Sequence, residues 1–310
     1  MRAAPSLKAY VLLYLAMTVV GVYVAFSKVI LESVPVFVLA ALRFGLAALM
    51  MLPWTFPKGG RALLRGQMST LFLLSFFGNF LFSICMLSGV ARTSAAAAGL
   101  ILSTLPAVVA LFSVVLLRER MDLAGGLAIV LAVIGIGFLT VHETGIAEDF
   151  GRVAGNLLMV GAIACEAIFV VVGKRLTTAH LGPFQISAWM NLVGFVLMLP
   201  LGLAQARSFA FANVSPEVWG LVVLYAFAAS VISPWLWLSG LKTVPANRAG
   251  VFTIALPIAS AAIGVLFLNE RLGIAHLVAF VCAFLGIILV TRAGFFKPAS
   301  RAPLDRVHRS

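Results

Sequence analysis

Ten long apolar runs leave this chain few folds to choose from. They fall at about 9–27, 35–53, 68–88, 94–117, 123–141, 153–173, 183–203, 217–239, 247–268 and 274–291. At about 1.5 Å of rise per residue, a helix of that length crosses the roughly 30 Å hydrocarbon core of a bilayer. In lipid every backbone polar group must find its partner within the protein. Runs this long and continuous do not suit barrel strands, so each predicts a transmembrane helix. Composition agrees: 63% of the residues are hydrophobic and 10% charged, against roughly 45–50% and 25% in soluble domains. A water-soluble fold has nowhere to bury so much apolar surface.

The net charge of +12 would suggest a nucleic-acid partner in a soluble protein. Here the basic residues, Arg43 excepted, lie in the gaps between runs, where they set topology, and no nucleic acid is expected. An even number of spans puts both termini on one side. That side takes most of the 22 Lys and Arg residues, while the opposite loops hold only Lys28, Arg92, Arg152, Arg207 and Arg271. The asymmetry predicts cytoplasmic termini in a cell membrane. Arginine-rich, short loops point to a bacterial inner membrane. The run after Lys8 exceeds the roughly 7–15 residues of a signal-peptide core, so it reads as a retained first span. Cys85, Cys165 and Cys282 fall inside spans without a C-x-x-C. His142, His180, His276 and His308 sit at span ends, in loops or in the tail. Neither a disulfide framework nor a metal or cofactor site is expected.

The runs also repeat. Glu119-Arg120 recurs as Glu270-Arg271, 151 positions on. At the same offset, without a gap, LSG at 87–89 meets LSG at 238–240. Ala98-Gly99 meets Ala249-Gly250, and Leu105-Pro106 meets Leu256-Pro257. Chance alignment of apolar helices matches Leu and Ala, and rarely Pro, Glu-Arg and Gly together. The chain therefore reads as a first five-helix unit over 9–141, a linker over 142–152, a second unit over 153–291 and a basic tail over 292–310. Five is odd, so the second copy enters the membrane upside down. Inverted repeats with a site near the midplane are the architecture of many secondary transporters, and two such halves can rock to open either face.

With these features in hand, the chain resembles the EamA family of the drug/metabolite transporter superfamily over nearly its whole length. The resemblance rests on VPVFVLAALRFGLAAL in span two, TSAAAAGLILSTLPAVVALFSVVLLRER through span four and ANRAGVFTIALPIASAAIGVLFLNERL through span nine. It implies an all-α bundle of ten helices around a central cavity, formed mainly by spans three, four, eight and nine. It implies transport, often export, of amino acids, metabolites or drugs, and no enzymatic role. Span six departs from the family, which often carries Trp where this chain has Glu166.

Glu166 is the carboxylate that most needs explaining. On a helix it shares an arc with Gly155, Ala162 and Gly173, opposite Leu157, Val160, Ala164, Ile168 and Val171. A charge facing lipid at mid-depth costs about 2.5–3.5 kcal/mol on insertion scales, so Glu166 should face inward. It is then a proton-coupling residue or counter-charge for a substrate amine, or else the structural partner of Arg43 at comparable depth.

Further candidates for substrate contact or coupling are Ser75, Asn79 and Ser83 along span three, Trp189 and Asn191 in span seven, and Thr253 in span nine. Interhelical hydrogen bonding would explain these polar groups equally well. Pro106 and Pro257 each remove a helix hydrogen bond near mid-span and are candidate hinges. The Glu-Arg pairs read as helix caps and headgroup anchors. The function expected is secondary transport of a small molecule by alternating access, with protons as a candidate coupling ion and the bilayer as solvent. Small-residue stripes leave room for a homo-oligomer. A channel-like or facilitative pathway is the alternative, although the spans show no acidic ring or carbonyl filter.

Overall fold

In the computed structural model, residues 7–55, 68–117, 123–144, 150–173, 183–241, 244 and 250–296 are described. Glu119-Arg120, the middle of the 142–152 linker and the tail from 297 lie outside them. The described residues form helices. They are α1 (Leu7–Ser33), α2 (Val36–Met50), α3 (Met68–Val90), α4 (95–117), α5 (Leu123–Thr144), α6 (Phe150–Gly173), α7 (Pro183–Ala206), α8 (216–241), α9 (250–267) and α10 (Ile274–Phe296). Six of these, α1, α3, α5, α6, α7 and α8, are long and apolar enough to cross a membrane, whereas α2, α4, α9 and α10 contribute shorter apolar stretches.

The shorter stretches have local causes. After α2, a single turn over Leu52–Thr55 carries Pro53 near its start, and proline cannot continue a regular ladder. Helix α4 breaks between Ala95–Leu102 and Leu105–Leu117, so Pro106 is the second residue of a new segment instead of the centre of an old one. That is where proline is tolerated, its missing N–H being unneeded in a first turn. At the break the Ser103 and Thr104 hydroxyls donate to the carbonyls of Leu100 and Ile101. Helix α9 opens with a 3₁₀ stretch, Gly250–Ile254, and Pro257 sits in the first turn of the α-segment Ala255–Phe267. Both prolines thus sit in the first turn of an α-segment, Pro106 after a break and Pro257 after a 3₁₀ stretch.

Two π-helical turns sit inside spans: Phe76–Leu81 in α3 and Ala228–Ile232 in α8. The 151-residue offset lays one over the other although the sequences FFGNFL and AASVI differ. Such turns are rare and often occur at functional positions.

Packing follows the same offset. Helix α1 lies against α8 and α9, and α6 against α3 and α4; α2 pairs with α7, α4 with α9 and α5 with α10. Several glycines permit close approach, Gly21 and Gly99 among them. A Cβ on Gly21 would meet the Leu256 carbonyl, and one on Gly99 would meet Ser260. The core between helices holds Leu13, Ile30, Leu39, Phe44, Met86 and Ile101. Leu123, Leu157, Ile274 and Leu277 stand outward, a surface suited to hydrocarbon.

Candidate functional site

Arg43, on α2, is buried at mid-helix with only 6% of its surface exposed. A buried guanidinium needs its donors satisfied, and three neutral oxygens from two other helices supply partners. Nε donates to Ser230 Oγ at 3.1 Å. Nη1 donates to Tyr225 Oη at 3.3 Å and to Ser83 Oγ at 3.4 Å. Ser83 follows the π-turn of α3 by two residues, while Ser230 lies within that of α8. The guanidinium carbon also stands 5.0 Å from the Phe44 ring centre and 5.4 Å from that of Tyr225, within cation–π range. Tyr23 of α1 meets Tyr225 edge-on at 5.6 Å.

Glu166 approaches this cluster from α6. Its helix face is as its sequence pattern requires: Gly155 and Ala162 are buried and Leu157 is 65% exposed. Glu166 and Arg43 sense each other's charge, and Tyr23 lies in the field of both. Yet they form no ion pair; the one salt bridge among the described residues joins Lys28 to Glu270. Glu166 is only half-buried, and no described residue hydrogen-bonds it. One turn on, Phe169 packs against Gly78 in the α3 π-turn, so α6 is held close to that distortion.

The other sequence candidates separate. Ser75 donates to Leu71 O within its own helix, and Asn79 Nδ2 donates to Met190 O, tying α3 to α7. Asn191 Nδ2 donates back to Ser187 O, and Trp189 Nε1 donates to Thr55 O. These are helix-joining or intrahelical roles. Thr253 lies buried at the 3₁₀ start of α9.

Four residues around Arg43 were not among the sequence candidates: Tyr23, Phe44, Tyr225 and Ser230. The chain has only 4 tyrosines, and tyrosine favours membrane interfaces, so two in mid-span were a usable signal. Ser230 is the repeat mate of Asn79.

An apolar crevice between α4, α5 and α10, bordered by Thr104, Gly135 and Cys282, encloses about 10 Å³. It has room for little more than one water. The Arg43 cluster remains the candidate site.

Known proteins resemble this chain in sequence and in fold. The model of the EamA-like transporter family matches twice, at residues 7–141 and 153–292. The uncharacterized transporter YetK of Bacillus subtilis is 34% identical, covering 91% of this chain and 86% of its own length. The threonine/homoserine exporter RhtA of Salmonella typhimurium is 30% identical, covering 60% of each chain. A solved crystal structure superposes with a TM-score of 0.64 at 19% identity, covering 91% of this chain and 96% of that one; at that identity the likeness concerns the fold.

Proposed function

The chain belongs to the EamA-like transporter family, and from that premise we propose a secondary transporter that exports small zwitterionic metabolites, amino acids first among them, by alternating access. The two five-helix units, inverted in the membrane, rock about the midplane site. The family model's match to each half and the paired packing at a constant offset support this reading.

The observation that carries it is the relation of Arg43 to Glu166. One comes from each half, they lie within electrostatic range, and they remain unbonded to each other. A guanidinium held by neutral hydroxyls keeps its full charge for a carboxylate, which it can meet with a bidentate fork. An open carboxylate opposite can take an ammonium group or a proton. The Phe44, Tyr23 and Tyr225 rings beside them offer apolar area for a side chain. A zwitterion bound there would tie the two halves together, which is what coupling substrate to rocking requires. The name of RhtA, an exporter of two amino acids, supports the same substrate class.

The test is efflux from sealed vesicles loaded with a panel of labelled amino acids, with and without an imposed pH gradient. Saturation and countertransport for at least one zwitterion are expected. Flux that never saturates and shows no countertransport would favour the channel-like alternative and end the alternating-access reading.

A further inference from the structure

Resting on that alternating-access reading, we propose that Glu270 is a gating residue: it latches one end of the bundle by joining α1, α4 and the turn after α9 through one carboxylate. Asn269, with φ of 54°, turns the chain left-handed after α9, and Glu270 N donates to Gly264 O, which folds the turn back on the helix end. The side chain lies over Gly264 at the end of α9 and reaches past it to α1 and α4. Its oxygens accept from Lys28 Nζ at 2.9 Å, Ala95 N at 2.7 Å and Ala96 N at 3.1 Å. Ser94 Oγ takes the next amide, Ala97 N, at 3.0 Å. The first turn of α4 is therefore capped partly by its own serine and partly by a carboxylate from the other half of the chain, where the helix dipole favours negative charge.

A cap alone would not need three elements. Below Glu270 the same helices close tightly: Ser260 Oγ donates to Ala95 O at 2.5 Å, and Gly99 and Gly21 admit α9 at near-backbone contact. The sealed end is thus built from hydrogen bonds and glycine contacts, in place of the leucine packing found in the core. Such a seam can part, because water replaces a broken hydrogen bond but not a lost apolar contact. Lys28 and Glu270, 28% and 12% exposed at the side chain, lie where water can reach them first. By comparison, the start of α2 is capped by a neutral group: Gln205 Oε1 of α7 accepts from Phe37 N and Val38 N. That joint pairs two helices and spans no third. Charge and three-way contact mark the Glu270 joint as the one that holds a gate.

The experiment reads which face of the membrane reaches the seam, and needs no substrate. A reporter Ser260→Cys, close in volume and buried under the latch, is placed in full-length protein with Cys85, Cys165 and Cys282 changed to alanine. It is labelled with a membrane-impermeant methanethiosulfonate in right-side-out and inverted vesicles. Glu270→Gln should speed labelling at least about tenfold from one face only, roughly what losing one charge-assisted hydrogen bond does to an equilibrium. Lys28→Met, which leaves the cap intact, should have a smaller effect on the same face. Unchanged labelling from both faces, or equal acceleration from both, would overturn the latch and leave Glu270 as a structural cap. Because labelling is independent of solute flux, a latch that opens in a protein that moves nothing would leave this inference standing and defeat the transport reading instead.

Discussion

Arg43 and Glu166 lie within range of each other's charge without bonding to each other: Ser83, Ser230 and Tyr225 hold the guanidinium, and the carboxylate has no described partner. Opposite charges among apolar helices would ordinarily collapse into a pair, because desolvation is costly. Keeping them apart with neutral hydroxyls leaves both charges available to a third body.

Arg43→Lys keeps the charge and loses the fork. An ammonium is a point donor and cannot serve Ser230 through one nitrogen and Tyr225 and Ser83 through another. Export should fall at least about tenfold, since each hydrogen bond to a charged group is worth roughly 1.5–3 kcal/mol. Folding should survive, because lysine still satisfies one hydroxyl. Efflux rate and thermal melting measured on the same preparation check both halves of that statement.

Glu166→Gln removes the titratable group and keeps the shape. If the carboxylate carries a proton across, solute exchange persists in the variant while the response to an imposed pH gradient disappears. If it binds the substrate ammonium instead, exchange falls as well and KM rises. A variant as gradient-sensitive and as active as the parent would remove Glu166 from the mechanism.

Apolar run length and loop charge made the spans legible in the sequence, because both report on the solvent. The 151-residue offset also relates two π-turns, but their unlike sequences gave no sign of them in advance. What stayed hidden was tertiary. Nothing in the loop letters NER at 269–271 says that Glu270 caps α4 instead of its own helix, and Asn79, spaced as if to line a solute stripe, spends its amide on Met190 O. Pro106 and Pro257 announced a break but not that each would open a new segment. Arg43 and Glu166 were legible as intramembrane charges, whereas Tyr23 and Tyr225 passed as ordinary apolar bulk.

The glycines give a prediction with its own control. A Cβ at Gly21 would run into the Leu256 carbonyl oxygen, a backbone atom that cannot swing aside, whereas nothing lies within 4 Å of one at Gly220. Gly21→Ala should lower the melting temperature and activity. Gly220→Ala should be neutral or raise stability by about 0.5–1 kcal/mol, the helix preference of alanine over glycine. Equal effects at the two positions would contradict the α1–α9 contact.

Inversion of the repeat has a direct readout. Cysteines replacing Glu119 and Glu270, repeat mates in sequence, should react with an impermeant reagent from opposite faces of the membrane, in the cysteine-free background. Reaction of both from one face would mean that the halves run parallel, and alternating access by inverted units would fail with it.

The pH dependence of the latch follows from its surroundings. Burial pushes the Glu270 pKa up, but Lys28 and the amides of Ala95 and Ala96 outweigh it and leave the carboxyl below its ordinary value. A group whose folded-state pKa is lowered stabilises fully above its unfolded value, about 4.3 for glutamate, and loses that contribution as pH falls through the folded value. The difference in melting temperature between the parent and Glu270→Gln should therefore hold steady from about pH 8 to 5 and shrink only below that. Near neutrality the carboxylate stays charged, so opening of this end must be driven by substrate binding or by the rocking itself, not by protonation of the latch. A difference that already collapses between about pH 7 and 6 would show that the Lys28 and amide contacts do not hold Glu270 as described.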